Sequence, residues 1–562
     1  MTEIEKGGEL IALMSSVRPA RPPKPRFPSR KEGGEGMGVF ICRCGGAVEG
    51  RVDVEALASS ISELDPVQAC EVLDYSCSKQ GRERIKQVIR DHSLDRFVVA
   101  GCSPKVIEQV FRTTAAEVSL NPFMVEVANI REQCSMVHRD CQGKAETLVR
   151  GAVAKCALLV PAPVRVSPLA SRKVLVVGDG LSALVAASEV ERQGYQVVLL
   201  SPGGLSTRPL SHQGLPVDYT ESLLHGLEMS DRAEVIERAR MRRFYGHPGD
   251  FSLELEGRTI ECGAVILALE AERLRREFLD QRVVDQTSLE EMKGPSELPG
   301  RIVMISGAED QGICGRGCHV QMVENAAHIK ERNPRTRVTV IARDVVTMGM
   351  CELDYRRAQE CGVDFIRFQE EPEISFGEQV EVSVIDANLG ERLSLQADLV
   401  VLDDRLGPGT VDTIARMFQV PLDENDFLQR TQVKLKPTAS IREGVFLCGS
   451  SVVPGTDLEA IQEARGAASR AVSLMSSPTR TVGGEVAEVE AEKCSACLTC
   501  IRSCPYSAPY IGETGKAEID IDTCQGCGIC VGICPSKAIQ LYCFTDSQID
   551  ALSKVLSREV GE

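Results

Sequence analysis

No stretch of the 562-residue chain is apolar for long enough to cross a bilayer, which excludes a membrane-spanning helix. Positive charge is also scarce. Against 81 Asp and Glu there are 64 Lys and Arg, and the net charge of −17 disfavours nucleic acid or an anionic membrane as main partner. The first 37 residues, which include "RPARPPKPRFPSRKEGGEG", lack the apolar run and small-residue cleavage site of an export signal. Rich in Pro, Arg and Gly with little to bury, residues 1–37 read as a disordered leader, with a partner-docking arm as the alternative. No Ser–His–Asp or Cys–His arrangement asks for hydrolytic or acyl-transfer chemistry. Without an export signal the expected location is cytoplasmic, and in a reducing cytoplasm disulfides are not expected.

Cysteine, by contrast, is plentiful: 23 residues, for which metal ligation is the better reading. The length exceeds what one core can serve and implies three or four domains.

The densest cysteines lie near the carboxy terminus. "CSACLTCIRSCP" carries Cys494, Cys497, Cys500 and Cys504; "CQGCGICVGICP" carries Cys524, Cys527, Cys530 and Cys534. Each run follows C-x2-C-x2-C-x3-C-P, in which three thiolates wrap one iron–sulfur cube and the fourth reaches the other cube. One 4Fe–4S cluster is therefore expected on Cys494, Cys497, Cys500 and Cys534, the second on Cys524, Cys527, Cys530 and Cys504. A pair of zinc knuckles is the alternative, since Cys-x-x-Cys also suits zinc. Cys543, beyond the pattern, reads as a core thiol.

In the middle, "KVLVVGDGLSALVAASEVERQGYQVVLLS" (173–201) predicts a strand, a turn at Gly178 and Gly180, a helix and a second strand. This unit sets a pyrophosphate at a helix amino terminus. Gly180 lets the phosphate approach, and Ala183 lets the helix pack on the strand. The acid expected at the end of the second strand to hold a ribose hydroxyl is Ser201. Nucleotide binding and an empty Rossmann scaffold both remain open from this segment. "RIVMISG", "QMVENAAHIKERNP" and "RVTVIARD" predict a second alternating unit. "ADLVVLDD" and "GVFLCGSS" are buried strands, the latter leading through Gly449 and Asp457 into a helix whose amino end could face a flavin. Together they resemble the two-dinucleotide-domain architecture of thioredoxin reductase-like flavoproteins.

Nearer the amino terminus, Cys42, Cys44, Cys77, Cys102 and Cys134 each fall at a strand end or turn, where loops of an open α/β sheet converge. Five thiols for a four-ligand cube make Cys42 or Cys44 the spare. The alternative is thiols buried as small hydrophobes, a role that Cys70, Cys141 and Cys156 fit better.

From about Gly38 to Ser557 the chain resembles the A-type subunit of heterodisulfide reductase, an iron–sulfur flavoprotein family. The motifs that carry this are "GVFICRCGG", "VVAGCSPK", "NPFMVEVANIREQCSMVH", "GVFLCGSS" and the double ferredoxin. The resemblance implies an oxidoreductase subunit with FAD and 4Fe–4S clusters that acts on sulfur groups through HdrB/HdrC-like (B- and C-like) subunits. Its electrons would come from a hydrogenase, a formate dehydrogenase, an MvhD-like subunit or a ferredoxin, and some family members bifurcate electron pairs at the flavin. A flavin-free iron–sulfur conduit and docking scaffold is the second reading; an independent flavin-dependent NAD(P)H oxidoreductase would need a second glycine fingerprint, which "ISGAEDQGICG" does not supply cleanly.

Several family features are altered. No cysteine lies between Cys156 and Cys262, where the family usually inserts another ferredoxin-like segment. The flavin turn Ala-Thr-Gly reads Ala268-Leu269-Glu270. Of a further four-cysteine cluster, Cys314 and Cys318 remain, with Ile305 and His319 at the other places. The acid of the Pro-Lys-Asp-Ile stretch shifts by one, to Asp457. The expected fold is α/β. Its parts are a leader (1–37), an iron–sulfur α/β domain (38–160), a FAD/NAD(P)-binding region (170–480), a two-cluster ferredoxin domain (486–545) and a terminal helix (546–562).

Overall fold

The computed structural model describes residues 36–206, 218–274, 278, 280–292, 298–307, 315–409 and 411–557. The expected leader lies outside these apart from Gly36 and Met37, and Cys314 lies outside them too. The chain forms two compact units, one drawn from Met1–Ser167 and Thr481–Glu562, the other from Pro168–Arg480. The first and last regions of the sequence thus share a unit.

That unit begins with four parallel strands in the order Val67–Leu73, Met37–Cys42, Arg96–Gly101, Val125–Asn129. In the two central strands, Met37–Cys42 and Arg96–Gly101, apolar residues at successive positions fill both faces, as a parallel sheet covered by helices requires. Val39 and Ile41 pack with the helices Val54–Ser62 and Gln142–Ala157, whereas Phe40 packs with Lys79–Asp91 and Pro104–Glu117. The strand order reverses direction between Met37–Cys42 and Arg96–Gly101. Loops leaving the carboxyl ends of those two strands diverge there and open a crevice.

The carboxy-terminal part of the unit holds two antiparallel strand pairs, Ala487–Val489 with Ile539–Leu541 and Pro509–Ile511 with Ala517–Ile519. Short helices Thr499–Ser503 and Ile529–Gly532 follow the two cysteine loops. The last helix, Asp546–Ser557, lies on Gln142–Ala157, where Gly151 leaves space for Leu552. Gln548 Nε2 donates to the Leu158 carbonyl at 2.9 Å, and Arg165 Nε donates to the Asp522 carboxylate at 3.3 Å. Buried Cys543 donates its thiol to the Phe123 carbonyl.

The other unit repeats one plan. Its first sheet is parallel, in the order Val445–Cys448, Ala264–Ala268, Val174–Val177, Val197–Ser201, Ala233–Glu237. One face packs on the helices Leu181–Arg192 and Asp457–Ser476, the other on the antiparallel strands Met241–His247, Asp250–Leu255 and Arg258–Cys262. Its second sheet runs Val283–Asp285, Leu399–Leu402, Arg301–Ser306, Arg337–Ala342, Asp364–Arg367, again parallel, and three antiparallel strands between Glu373 and Ala397 accompany it. The expected α/β class with two dinucleotide-type halves is what these residues form.

Gly178 shows why the turn after the first strand tolerates no side chain. A Cβ there would lie 1.9 Å from the carbonyl oxygen of Ala268, a backbone atom that cannot move aside. Gly178→Ala is expected to destabilise this unit by about 1–3 kcal/mol, as overpacking does. A thermal melt unchanged from wild type would show that the approach is not tight.

Candidate functional site

The eight carboxy-terminal cysteines ring two cavities. Cys494, Cys497, Cys500 and Cys534 line one of about 350 Å³; Cys504, Cys524, Cys527 and Cys530 line one of about 340 Å³. Three members of each set come from one cysteine run and the fourth from the other. The loops wrap inward through left-handed backbone at Ala496 and Leu498 in the first run and at the matching Gly526 and Gly528 in the second. Ala496 and Leu498 accept a conformation that glycine takes freely, so the loop shape outweighs the local cost.

The electrostatics follow the same grouping. Burial pushes the Cys530 thiol up to about 12, and neighbouring Cys524, Cys504 and Cys527 push the same way. Four thiolates cannot share such a space without compensating positive charge, which iron supplies. Hydrogen bonds to sulfur are already in place: the Ala538 N–H donates to Cys534 Sγ at 3.3 Å. Hydrogen bonding from Thr499 holds the exposed Cys497 thiol below its usual range.

A second group of thiols lies at the crevice of the four-stranded sheet. Cys44 Sγ and Cys102 Sγ are 3.7 Å apart, and Cys42 Sγ accepts N–H groups from Cys44 at 3.3 Å and Ser76 at 3.4 Å. Hydrogen bonding, led by the Cys44 thiol, lowers Cys42 to about 6. Cys77 is raised by burial first and then by Cys42 and Cys102, which places it in the same field. Arg131 Nη1 reaches Cys102 Sγ at 3.5 Å and brings positive charge to the group.

Cys134 stands apart, whereas the sequence made Cys42 or Cys44 the spare thiol. The structure brings Cys42, Cys44 and Cys102 together, and Cys77 feels the charge of Cys42 and Cys102. Cys134 is fully buried, donates its thiol to the Cys141 carbonyl at 3.3 Å, and is raised to about 11 chiefly by burial. The reason is topological. Val125–Asn129 is an edge strand, away from the crevice, and the turn Arg131–Ser135 folds Cys134 under the sheet. The nearby Cys141 was the available sequence signal. Cys318 is likewise buried, in a small apolar cluster with Ala271, Leu406 and Phe427, and donates to the Asp404 carbonyl at 3.2 Å. That is the seat of a core thiol, and its expected companion Cys314 lies outside the described residues.

At the first dinucleotide unit, Gly178, Gly180 and Ala183 occupy the strand–helix turn as expected, with Gly180 as N-cap of Leu181–Arg192. Two acids share this turn. Glu270 Oε1 accepts the Ser182 N–H at 3.0 Å, and Oε2 accepts the Ser450 hydroxyl at 2.6 Å and its N–H at 3.2 Å. Asp179 Oδ1 accepts the hydroxyl of fully buried Ser201 at 2.6 Å and the Gly203 N–H at 3.2 Å. Sequence reading singled out Ser201 and the altered turn at Glu270, but not that both acids point into the site. Gly449 lies against the Leu269 backbone, and Asp457 opens the helix Asp457–Ser476 beside the Thr456–Glu459 capping box. Both line a cavity of about 310 Å³ with Arg316, Ser450 and Glu463. As these residues stand, the Glu270 carboxylate accepts the helix N–H that a dinucleotide pyrophosphate would take, so FAD would have to displace it.

A family profile described as "4Fe-4S dicluster domain" matches residues 493–538, which hold both cavities' cysteines. The resemblance carried by the motifs is borne out along nearly the whole chain. The A-type iron–sulfur subunit of the CoB–CoM heterodisulfide reductase of Methanocaldococcus jannaschii is 28% identical, over 91% of this chain and 97% of the relative. The A-type subunit of the H(2):CoB-CoM heterodisulfide,ferredoxin reductase of Methanothermobacter marburgensis is 28% identical, over 85% of this chain and 91% of the relative. The chain is thereby similar to oxidoreductase subunits. Among solved structures, the thioredoxin reductase of T. acidophilum is similar at 18% identity and TM-score 0.38, covering 54% of this chain and 98% of that one. Among the described residues no helix is long and apolar enough to cross a membrane.

Proposed function

We propose that this chain is an electron-transfer iron–sulfur subunit of a heterodisulfide reductase-like complex. The observation that carries the reading is the crossed grouping of eight cysteines around two cavities inside a segment that matches a 4Fe–4S dicluster domain. Two cubes would sit there, and a third cluster would sit on Cys42, Cys44, Cys77 and Cys102. Cubes pass single electrons, so the chain moves electrons between partners, and reduction of sulfur groups takes place on B- and C-like subunits. A relative from Methanosarcina acetivorans is named as part of a ferredoxin/F(420)H(2)-dependent heterodisulfide reductase, in keeping with a reduced electron-carrier protein as donor.

FAD is the flavin that the resemblance brings to the first dinucleotide unit. The second reading, a conduit and docking scaffold working without flavin, is favoured by the carboxylate of Glu270 on the helix amino terminus. Both readings share the clusters. Anaerobically purified protein is expected to contain about twelve irons and as many acid-labile sulfides per chain, at four per cube. Zinc in place of iron would overturn the proposal. Flavin analysis of the same sample separates the two readings.

A further inference from the structure

The first dinucleotide unit has kept its backbone and filled its cleft. Gly180 has no side chain, and a Cβ there would lie 2.6 Å from Cγ of Glu270, so the space opened by that glycine is the space that Glu270 enters. Its carboxylate then meets the positive end of the helix Leu181–Arg192, where an anion is stabilised. Both carboxylate oxygens are engaged, one by the Ser182 N–H and the other by Ser450, whose hydroxyl oxygen in turn accepts the Ala271 N–H at 2.8 Å. The network ties the carboxyl end of Ala264–Ala268 to the helix turn and to the end of Val445–Cys448.

At the neighbouring strand end the arrangement is similar. A ribose hydroxyl would need an acceptor here, and the Asp179 carboxylate that could serve already takes the Ser201 hydroxyl proton. Asp179 also takes the Gly203 N–H. A pyrophosphate entering this cleft would lose the Ser182 donor and sit against fixed negative charge. A ribose hydroxyl would have to compete with Ser201 and the Gly203 N–H for the Asp179 carboxylate.

We infer that Glu270 and Asp179 act as internal ligands, occupying the phosphate and ribose positions of the first dinucleotide site, so that any dinucleotide must displace the chain's own carboxylates. The inference rests on the dinucleotide-type reading of residues 173–201 and is independent of every cluster assignment. It also gives Glu270 a structural role, as an anionic cap contributed from a distant strand in place of a bound phosphate.

The test uses the full chain, purified anaerobically, as wild type, Glu270→Gly, Glu270→Gln and Glu270→Gly/Asp179→Ala. FAD binding is followed by quenching of flavin fluorescence, with iron per chain as the check on folding. Wild type is expected to purify without stoichiometric flavin. Glu270→Gly is expected to bind FAD at least tenfold more tightly than wild type, with the double variant tighter still. Glu270→Gln, which keeps the side-chain size and removes the charge, is expected to fall between. Removing the cap should also lower the melting temperature of Glu270→Gly, and added FAD should restore it, because a ligand that binds only the folded state stabilises it. Wild type that retains FAD, or that binds it as tightly as Glu270→Gly, overturns the inference. So does a failure of every variant to take up FAD while iron content is normal. Loss of iron from wild type would instead count against the proposed function.

Discussion

Cys527→Ala protein is expected to carry about four irons fewer per chain than wild type, the content of one cube. Cys504→Ala is expected to lose the same four. The two residues lie in different cysteine runs, yet both line the cavity of about 340 Å³ with Cys524 and Cys530. The pair therefore should not add: Cys504→Ala/Cys527→Ala should keep the cube on Cys494, Cys497, Cys500 and Cys534. Cys497→Ala/Cys527→Ala, which touches both cavities, should lose both cubes. Iron and acid-labile sulfide analysis, with the electron paramagnetic resonance of the reduced protein, reads each outcome. If Cys504→Ala removes the same cube as Cys497→Ala, the ligand sets follow the sequence and the crossed assignment fails.

The second large effect belongs to the four-stranded sheet. Cys102→Ala should remove the third cluster, and Cys44→Ala the same one, because their sulfurs are 3.7 Å apart at the reversal of strand order. Cys134→Ala should leave the iron content unchanged. Its thiol is enclosed beneath the sheet and already hydrogen-bonded to the Cys141 carbonyl. Instead it should cost a modest loss of stability, about 1 kcal/mol, for a small buried side chain and its weak hydrogen bond. If Cys134→Ala empties the site and Cys42→Ala does not, the spare thiol is Cys42 after all.

Much of this was legible without coordinates. The carboxy-terminal cysteines are close in sequence, and a loop of a few residues has little freedom, so spacing alone constrains which atoms can meet. The strand–turn–helix of 173–201 was likewise readable, since the glycines and the apolar alternation are local signals; the strand Val174–Val177 and the helix Leu181–Arg192 lie where they were expected. The resemblance to the A-type subunits of heterodisulfide reductases came from the same local motifs and extends over nearly the full chain.

What the sequence alone could not decide is set by contacts between distant residues. Cys134, like Cys102, follows the carboxyl end of a parallel strand, and only the strand order shows that its loop leaves from an edge and folds into the core. That Asp546–Ser557 packs on Gln142–Ala157, placing the last helix in one compact unit with the first sheet, rests on Leu552 meeting Gly151 across some four hundred residues of chain. Glu270 is the sharpest case. In sequence it is one altered residue in a turn, while in the fold three parallel strands end side by side and carry its carboxylate to the amino terminus of a helix 88 residues away. Local spacing determined which groups are available; the parallel sheet, by bringing its strand ends to one edge, decided which of them meet.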